Sequence, residues 1–554
     1  MAKKISAILI AFLYSFTYTI VGPVIKEQND GIDKVNLLSF LLCFIICSAV
    51  NIFITCIFPR LKHSGFYRLN DKVDAKIARI DERVLFLLIW VFIFVMWLPA
   101  FLVFFPGILS YDMISQTGSA LGQITNNHHP VLHTWLLRVF MNLGLNLFSS
   151  YEAGLGILSF LQMVILSYAL SRMIMFLKKR KVPILIVILT AVFMAFWFMN
   201  AVLSVTMIKD TLHAAFLILF CRHFTEMVTS LSNYVKQKKN FVFFPIVSFL
   251  MFATRNNGIY IYLFCFIVLF ILSISRIKKI KNYVAMIGII LLPVILFKIY
   301  TGPVFNLLGI EQGQVREALS VPIQQIQRVS VTRSEELTEE QIEEIGYYID
   351  NLEWMGESAP QSYSPFNADF AKSCFYSSSY ESNPIAFWKF YAKLGLQFPK
   401  EYIIAFLSNT LGFWYPGYYE FSYVAGSSYS PEMFSVPLQQ KSILTSSFFE
   451  KCYESLCNSD FWRSTWGLRV FFVPAFAPWI LLLILAYTWH GKEFMTRKLP
   501  LFAPMVAQYG IMILSPIASF RYSWPYFLML PILFIVIFDK SMISERDDDE
   551  NQHN

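Results

Sequence analysis

The sequence is poor in charge. Only 15% of its 554 residues are Asp, Glu, Lys or Arg, whereas 56% are apolar. A soluble domain has about a quarter of its residues charged, so this chain has too little charge to cover a surface exposed to water. The shortage excludes a large soluble protein and indicates a lipid bilayer as the solvent for most of the chain.

Cysteines are also few. Of the eight cysteines, five lie in apolar stretches, where a thiol behaves as a small apolar group. A bridge between Cys452 and Cys457 stays open on their spacing alone. No basic motif suits nucleic acid, so no nucleic-acid partner is expected, and no internal repeat is visible.

The apolar residues come in blocks that contain no charge, such as 84–105, 182–205 and 258–275. Each block is near the roughly 20 residues that cross a ~30 Å hydrocarbon layer as a helix. Backbone groups in lipid must be satisfied within their own segment, so helices are expected. The pattern predicts an all-α polytopic membrane protein with about 12 transmembrane helices. The predicted spans are 5–25, 35–58, 84–105, 153–177, 182–204, 211–230, 241–254, 257–275, 283–300, 467–489, 499–516 and 520–538.

Basic residues predict the orientation of these spans. The Lys- and Arg-rich ends alternate consistently and fall on one side for this count of spans, which makes that side cytoplasmic. The net charge of +8 hides a split, because residues 301–460 contain 19 acidic and 9 basic residues. The first apolar stretch lacks a small-residue cleavage site and is interpreted as an uncleaved span. We therefore expect a multi-pass protein of the cell membrane with cytoplasmic N- and C-termini.

Five regions follow along the chain: two N-terminal spans with a cytoplasmic interfacial segment (1–83), a transmembrane core with a first outer loop at 106–150 (84–300), an outward-facing, mainly helical domain (301–462), C-terminal spans (463–540) and a disordered tail (541–554). In the outer domain, Thr338 precedes an acidic helical pattern and Pro399 interrupts another at 384–411. Its dense aromatic residues suit either anchoring at the lipid headgroups or stacking on sugar. They are Trp388, Trp414, Tyr415, Tyr418 and Tyr419.

The loop after the third predicted span keeps polar residues where they are costly, which indicates function. Asp112 and Gln116 are spaced i, i+4 and share a face on a helix. Either the two residues form a pair that activates a hydroxyl group, or Asp112 only caps a helix. His128 and His129 suit hydrogen bonding to a sugar or phosphate better than metal binding. A helical pair of His129 with His133 is weakened by Pro130, and 131–148 is expected to lie along the interface.

Three more polar clusters lie at predicted outer ends of spans. They are Lys209-Asp210, Arg255-Asn256-Asn257 and Arg521-Tyr522. In the first cluster, a salt bridge between Lys209 and Asp210 is one option. Charges at these depths need partners. A phosphate is one partner, since a guanidinium binds it in a bidentate manner. Snorkelling to the headgroups is the alternative for each cluster alone. Convergence of all three on one face favours an anionic, lipid-linked substrate.

At these residues the sequence resembles known proteins. An acidic residue in the first outer loop, a helix lying on the surface, further spans and an outer domain resemble the plan of the GT-C class of membrane glycosyltransferases. The resemblance runs from about 84 to 538 and is closest to an uncharacterised bacterial family of multi-pass membrane proteins. It rests on Phe105-Pro106-Gly107, Asp112, Gln116, His128-His129-Pro130, Lys209-Asp210, Arg255-Asn256-Asn257-Gly258, the segment 321–328 and Trp414-Tyr415-Pro416.

The resemblance implies an inverting hexosyltransferase with a GT-C-like core, which moves a monosaccharide from a polyprenyl-phosphate donor to a glycan or lipid acceptor. It places the general base at Asp112. Lys209, Arg255 and Arg521 are candidates for stabilising the leaving phosphate. The loop has no Asp-x-Asp pair, so we expect no cofactor, and a divalent metal is not favoured. Gln324, Gln325 and Arg328 either contact sugar or acceptor, or pack the outer domain.

Other functions stay open at this point. A transporter or flippase of a lipid-linked precursor predicts internal symmetry and polar residues deep in several spans. The polar residues lie mostly at outer ends, which favours the enzyme. An acyltransferase predicts a base centred on histidine instead of Asp112, and a non-catalytic assembly protein predicts that Asp112→Asn has no effect.

Overall fold

The structure is a computed structural model that describes residues 2–28, 36–60, 65–109, 111–273, 280–350, 363–418, 436, 438–457, 472–489, 494 and 498–539. The described residues form an all-α structure without strands, with a few isolated β-bridges between loops. This confirms the fold class at a coarse level. The predicted tail at 541–554 and Tyr419 lie outside the described residues.

The first half of the chain is built from long apolar helices. They are α1 (Ala2–Phe16), α2 (Gly22–Glu27), α3 (Leu37–Arg60), α4 (Gly65–Ile77), α5 (Glu82–Val103), α6 (Tyr111–Leu121), α7 (Val131–Phe148), α8 (Tyr151–Lys179), α9 (Ile184–Phe196), α10 (Phe198–Ser204), α11 (Lys209–Thr229), α12 (Leu231–Lys236), α13 (Asn240–Thr254), α14 (Gly258–Ser273) and α15 (Ile280–Ile299). One π-helical turn, Thr17–Val21, joins α1 to α2.

The second half starts with shorter helices and returns to apolar ones. They are α16 (Phe305–Leu308), α17 (Ser320–Thr332), α18 (Glu339–Tyr348), α19 (Ala368–Ser373), α20 (Ser377–Ser382), α21 (Pro384–Gln397), α22 (Pro399–Asn409), α23 (Leu411–Trp414), α24 (Phe448–Cys457), α25 (Phe476–Thr488), α26 (Ala503–Ile513), α27 (Phe520–Met529) and α28 (Phe534–Phe538). A π-helical turn, Tyr300–Val304, precedes α16, and 3₁₀ turns cover Val315–Ala318, Ser334–Glu336, Leu499–Phe502 and Leu530–Leu533.

Six described helices are long and apolar enough to cross a membrane. They are Ile5–Glu27, Glu82–Val103, Val131–Phe148, Tyr151–Lys179, Val284–Leu308 and Phe520–Phe538. A seventh is added if α9 and α10, which meet at an angle of 54°, form one bent span. Shorter apolar helices occupy Leu37–Phe53, Asn240–Thr254, Gly258–Ile271, Phe476–Thr488 and Leu499–Ile513. These lengths support several crossings, and the number twelve stays a prediction.

Helices α5 and α8 run antiparallel along their whole length. At one end Lys178 lies 4.0 Å from Glu82, and Trp90 Nε1 donates to Ser167 Oγ at 3.1 Å further along. At the other end the ring of Phe105 contacts Gly156. If α5 and α8 each cross the bilayer once, the chain between them starts and ends on the same side. The length and composition of α7 would allow it to cross the membrane, but a single complete crossing does not fit this geometry. The geometry therefore favours the prediction that α7 lies along the interface.

The exposed surface of α5 indicates the solvent that surrounds this helix. One face packs inside the protein, with Ile93, Trp97 and Ala100 fully buried. The opposite face exposes Leu87 and Val91 at 51% and 48%. An apolar face this large is costly in water and is typical of contact with lipid.

The outer domain follows several local predictions. Thr338 caps α18 in a capping box with Gln341, as the acidic pattern predicted. The break at Pro399 separates α21 from α22, which confirms the predicted interruption. Cys452 and Cys457 are free thiols on α24. Five residues of helix rise about 7.5 Å, which exceeds the reach of a disulfide, so the bridge left open by spacing is not formed.

Candidate functional site

A short backbone bridge brings the loop after α5 against the loop before α11. Ile108 N donates to Val205 O, and Met207 N donates to Ile108 O, both at 3.0 Å. Gly107 has φ +146° and would place a Cβ 2.8 Å from Val205 O, so only glycine fits this close approach. The bridge sets the start of α6, which carries Asp112, beside Lys209 at the start of α11.

Asp112 lies between two cations from distant parts of the chain. Its Oδ2 accepts from Lys209 Nζ at 3.0 Å and from Arg521 Nη1 at 3.2 Å. The three side chains are only 16–17% exposed. None of the described residues donates a hydrogen bond to Oδ1. Both cations therefore share one carboxylate oxygen and leave the other without a donor among the described residues.

The charges of this cluster hold Asp112 in its ionised form. Burial by itself raises the pKa of the carboxyl, but the ammonium of Lys209 and the guanidinium of Arg521 outweigh burial. They hold the pKa of Asp112 well below its usual range. A carboxylate paired in this way is charged at any working pH but is a weak proton acceptor as long as both cations stay bound.

His129 extends the cluster on the other side of Lys209. Its Nδ1 lies 3.4 Å from Lys209 Nζ, and its Nε2 lies 2.7 Å from Ser115 Oγ. An ammonium only donates, so Nδ1 accepts and the neutral ring has its proton on Nε2, which donates to Ser115. Burial, together with the charge of Lys209, lowers the pKa of His129 to about 3. His129 is therefore in no position to remove the Ser115 proton.

His128 lies next to His129 but is more exposed. The two rings make an edge-to-face contact at 4.6 Å, and the backbone N–H of His128 donates to Asn126 Oδ1 at 3.1 Å. Burial lowers the pKa of His128. Both imidazoles are thus neutral near pH 7, and His128 is exposed at the rim of the cluster, whereas both ring nitrogens of His129 already have partners.

Gln116 shares α6 with Asp112 but takes a different partner. Its side chain is fully buried, and its Oε1 lies 3.1 Å from His133 Nδ1. Gln162, also fully buried, lies beside His133 and donates to Thr206 O at 3.3 Å. The i, i+4 spacing of Asp112 and Gln116 did not predict that the Gln116 side chain points into the protein. The sequence signal for Gln162 is a glutamine in the middle of the apolar run 153–177.

A second ion pair lies next to the first. Arg255 Nη1 donates to Asp210 Oδ1, and Asp210 is fully buried. The guanidiniums of Arg255 and Arg521 lie 5.0 and 4.8 Å from the ring centre of Tyr522, whose hydroxyl accepts from Arg521 at 2.9 Å. Lys209 and Asp210 do not form the mutual salt bridge left open by the sequence. Neighbours on a helix point about 100° apart, and each binds a partner on another element.

The two asparagines after Arg255 have different surroundings. Asn256 Nδ2 donates to Asn127 O at 3.1 Å, which joins the start of α14 to the loop before α7. Asn127 in turn binds Gln312 at 2.9 Å and fixes the segment after α16. Asn257 is exposed at the start of α14. Asn127 was missed by the sequence reasoning, because only its contacts distinguish it from other loop residues.

Gln324, Gln325 and Arg328 lie on α17, apart from the Asp112 cluster in their bonding. Gln324 donates to Ser364 O at 2.6 Å, and Gln325 donates to Tyr402 O at 3.0 Å. Arg328 Nε donates to Glu401 Oε2 at 2.7 Å. These contacts favour the packing alternative for all three residues.

The cluster suits an anion better than a metal. Among the described residues, no group of three His, Cys, Asp or Glu side chains has the arrangement of a metal site. Three cations face two carboxylates, so one positive charge is left over. Lys209 is the first residue of α11, Arg521 is the second of α27, and Arg255 precedes α14. Lys209 and Arg521 thus lie at the positive ends of helix dipoles, which adds to the attraction for an anion. Arg255 directly follows the last residue of α13 and lies at the negative end of that helix.

The fold and this cluster define an all-α protein with several helices able to cross a membrane and a buried ion-pair network at one end of them. The chain belongs to the Family of unknown function (DUF6020), whose model matches residues 119–552. That range contains Lys209, Arg255 and Arg521 and starts after Asp112 and Gln116. Neither a search of curated proteins nor a search of solved structures finds a match.

Proposed function

We propose that this chain is a membrane glycosyltransferase that moves a monosaccharide from polyprenyl phosphate to a glycan or lipid acceptor of the cell envelope. The observation that carries the proposal is the sharing of Asp112 Oδ2 by Lys209 and Arg521. The site combines a carboxylate that has one oxygen without a donor among the described residues with an excess of positive charge, of which Lys209 and Arg521 lie at helix N-termini. An inverting transfer needs both parts, a base for the acceptor and cations for the leaving phosphate.

The proposal includes a finer topology of about twelve spans around a GT-C-like core. Apart from 211–230, which falls on the more polar α11 with Arg222 and Glu226, the predicted spans overlap apolar helices within the described residues. The basic residues around Lys178 lie at the C-terminal end of α8. This end is the one farther from the Asp112 cluster. The positive-inside rule then assigns the Lys178 end to the cytoplasm and the Asp112 end to the outer face.

In the proposed reaction, the phosphate of the donor binds Lys209 and Arg521, with Arg255 close by. The acceptor hydroxyl gives its proton to Asp112 Oδ1, and its oxygen forms a bond to the anomeric carbon of the donor sugar. The bond from that carbon to the phosphate oxygen breaks, and its electron pair leaves with the polyprenyl phosphate. Attack opposite to the leaving group inverts the anomeric centre.

The ion pairs give this reaction an order of events. Before the donor binds, both cations hold the pKa of Asp112 low, and the carboxylate is a weak base. A phosphate that binds the same cations weakens their hold on Asp112, and the pKa of the carboxyl rises toward its usual value. Donor binding therefore activates the base, which protects the site from reacting with acceptor alone.

The test is a transfer assay with the purified protein in proteoliposomes and a panel of labelled polyprenyl-phosphate monosaccharides. Wild type is expected to form glycosylated acceptor with one of them, and Asp112→Asn is expected to be slower by about 10²–10⁴-fold, the usual contribution of a general base. Equal turnover by both proteins would remove Asp112 from this role. Movement of the intact lipid across the bilayer without transfer would favour the flippase.

A further inference from the structure

Arg172 lies on α8 at the point where a long run of uncharged residues ends. Residues 153–171 of α8 contain no charge, and these 19 residues are close to the roughly 20 that cross the hydrocarbon layer as a helix. If α8 is one of the spans, Arg172 lies at the edge of that layer, on the side of Lys178. This is the depth at which the phosphate groups of the lipids lie.

A second arginine lies beside Arg172, and both guanidiniums contact aromatic rings. The Cζ of Arg172 is 5.6 Å from the ring centre of Phe86 on α5, and the Cζ of Arg222 on α11 is 5.7 Å from that of Phe176 on α8. Arg172 and Phe176 are spaced i, i+4 and share a face of α8. Arg172 is therefore close enough to Arg222 for their two positive charges to repel each other. The two residues form an arginine pair on the surface between α5, α8 and α11.

The charges around this arginine pair do not balance within the described part of the chain. Glu226 accepts from Arg222 at 3.2 Å and from Lys179 at 2.9 Å. Arg172 has no carboxylate within ion-pair distance and no hydrogen-bond acceptor among the described residues. Lys179 is 62% exposed, so water compensates much of its charge, but two arginines still face one carboxylate. A charge at this depth needs a partner, and the described residues supply none for Arg172.

The neighbouring side chains are those of a headgroup region. Tyr168 is exposed next to Arg172, and its ring centre lies 5.6 Å from the rings of both Phe86 and Trp90. Tyr and Trp are enriched where the hydrocarbon meets the headgroups. Leu87 and Leu88 on α5 are exposed as well and suit contact with acyl chains. The aromatic residues thus indicate the same depth as the end of the uncharged run.

We propose that the surface between α5, α8 and α11 binds an anionic phospholipid of the leaflet at the Lys178 end, with the lipid phosphate at Arg172 and Arg222. A guanidinium binds a phosphate in a bidentate manner, and the phosphate supplies the partner that Arg172 lacks. It also screens the repulsion between the two arginines. The proposal does not depend on the transferase activity, because none of these residues belongs to the Asp112 cluster.

The test is thermal unfolding of the purified full-length protein in detergent, titrated with dioleoyl phosphatidylglycerol, dioleoyl phosphatidylcholine or inorganic phosphate. Only phosphatidylglycerol is expected to stabilise the wild type. One basic residue near an anionic headgroup changes affinity roughly fivefold, so Arg172→Gln is expected to need roughly fivefold more phosphatidylglycerol for the same stabilisation. Without lipid, Arg172→Gln is expected to unfold at the wild-type temperature, since relief of the repulsion with Arg222 offsets the lost contact with Phe86.

The control is Arg68→Gln, which removes an exposed arginine from α4. This helix lies at the same end of the helices, because Asn70 Oδ1 accepts from the backbone N–H of Leu185 at the start of α9. Arg68→Gln is expected to leave the phosphatidylglycerol titration unchanged.

Four results would overturn the proposal. Equal loss with Arg68→Gln and Arg172→Gln would reduce the effect to general surface charge. Equal stabilisation by the two lipids, or by inorganic phosphate, would remove the anionic lipid as the ligand. An Arg172→Gln protein that unfolds at a lower temperature without lipid, yet has an unchanged titration, would assign Arg172 to folding alone.

Discussion

Replacing Asp112 with Asn is expected to strengthen the binding of polyprenyl phosphate while it slows transfer. In the wild type, Asp112 neutralises part of the charge on Lys209 and Arg521, the two cations assigned to the phosphate. The amide of Asn keeps nearly the same shape but removes the negative charge. A role in folding alone predicts that binding and turnover fall together, so the opposite signs separate the two explanations.

The size of the effect follows from the geometry. A phosphate on the same two cations stands about 5 Å from Asp112, where two like charges repel by about 3 kcal/mol at an effective dielectric constant of about 20. The three side chains are 16–17% exposed, so water and salt screen part of this repulsion. A remaining effect of about 1.5 kcal/mol corresponds to roughly tenfold tighter binding.

The measurement is a titration of the detergent-solubilised protein with polyprenyl phosphate, at low and high salt. The control is Asp369→Asn, which removes a carboxylate 2.9 Å from Lys372 in the outer domain and is expected to leave binding unchanged. Weaker or unchanged binding to Asp112→Asn would refute the assignment of Lys209 and Arg521 to the phosphate.

Three further predictions concern stability, measured by thermal unfolding in detergent. Arg255→Gln leaves the fully buried Asp210 carboxylate unpaired and is expected to lower the free energy of unfolding by about 3–5 kcal/mol. Adding Asp210→Asn is expected to restore part of this stability, and no recovery would contradict the pairing. Gly154→Ala places a Cβ 2.0 Å from a backbone oxygen of α7 and is expected to cost about 1–3 kcal/mol, whereas Gly288→Ala, with open space around it, is neutral. The pKa of His129 is lowered from 6.5 to about 3, so the unfolded chain takes up a proton first and stability is lost as pH falls from about 6.5 toward 3. His129→Gln is expected to reduce this acid sensitivity between pH 6.5 and 4.5, and an unchanged pH profile would argue against a buried neutral ring.

Much of the helical architecture was predictable, because a bilayer forces a simple pattern on the sequence. Uncharged runs such as 84–105 became helices, and Pro399 ended one helix and started another. The segment 131–148 was harder to interpret, because its composition suits both a span and an interfacial helix. Only the antiparallel packing of α5 on α8 favours the second.

The site was predictable as a set of residues but not as a set of pairs. Asp112, Lys209 and Arg521 each stood out as polar residues at the end of an apolar run. Their pairing depends on contacts between residues up to 409 positions apart, which spacing does not encode. For the same reason the inward direction of Gln116 and the pairing of Arg328 with Glu401 appeared only in three dimensions.

The most direct measurement of the central claim uses a donor with one label on the sugar and another on the polyprenyl phosphate. With wild-type protein in proteoliposomes, we predict that the two labels separate, with the sugar in the acceptor and polyprenyl phosphate left in the membrane. Labels that stay together on one molecule, above all if that molecule changes leaflet, would contradict a transferase centred on Asp112.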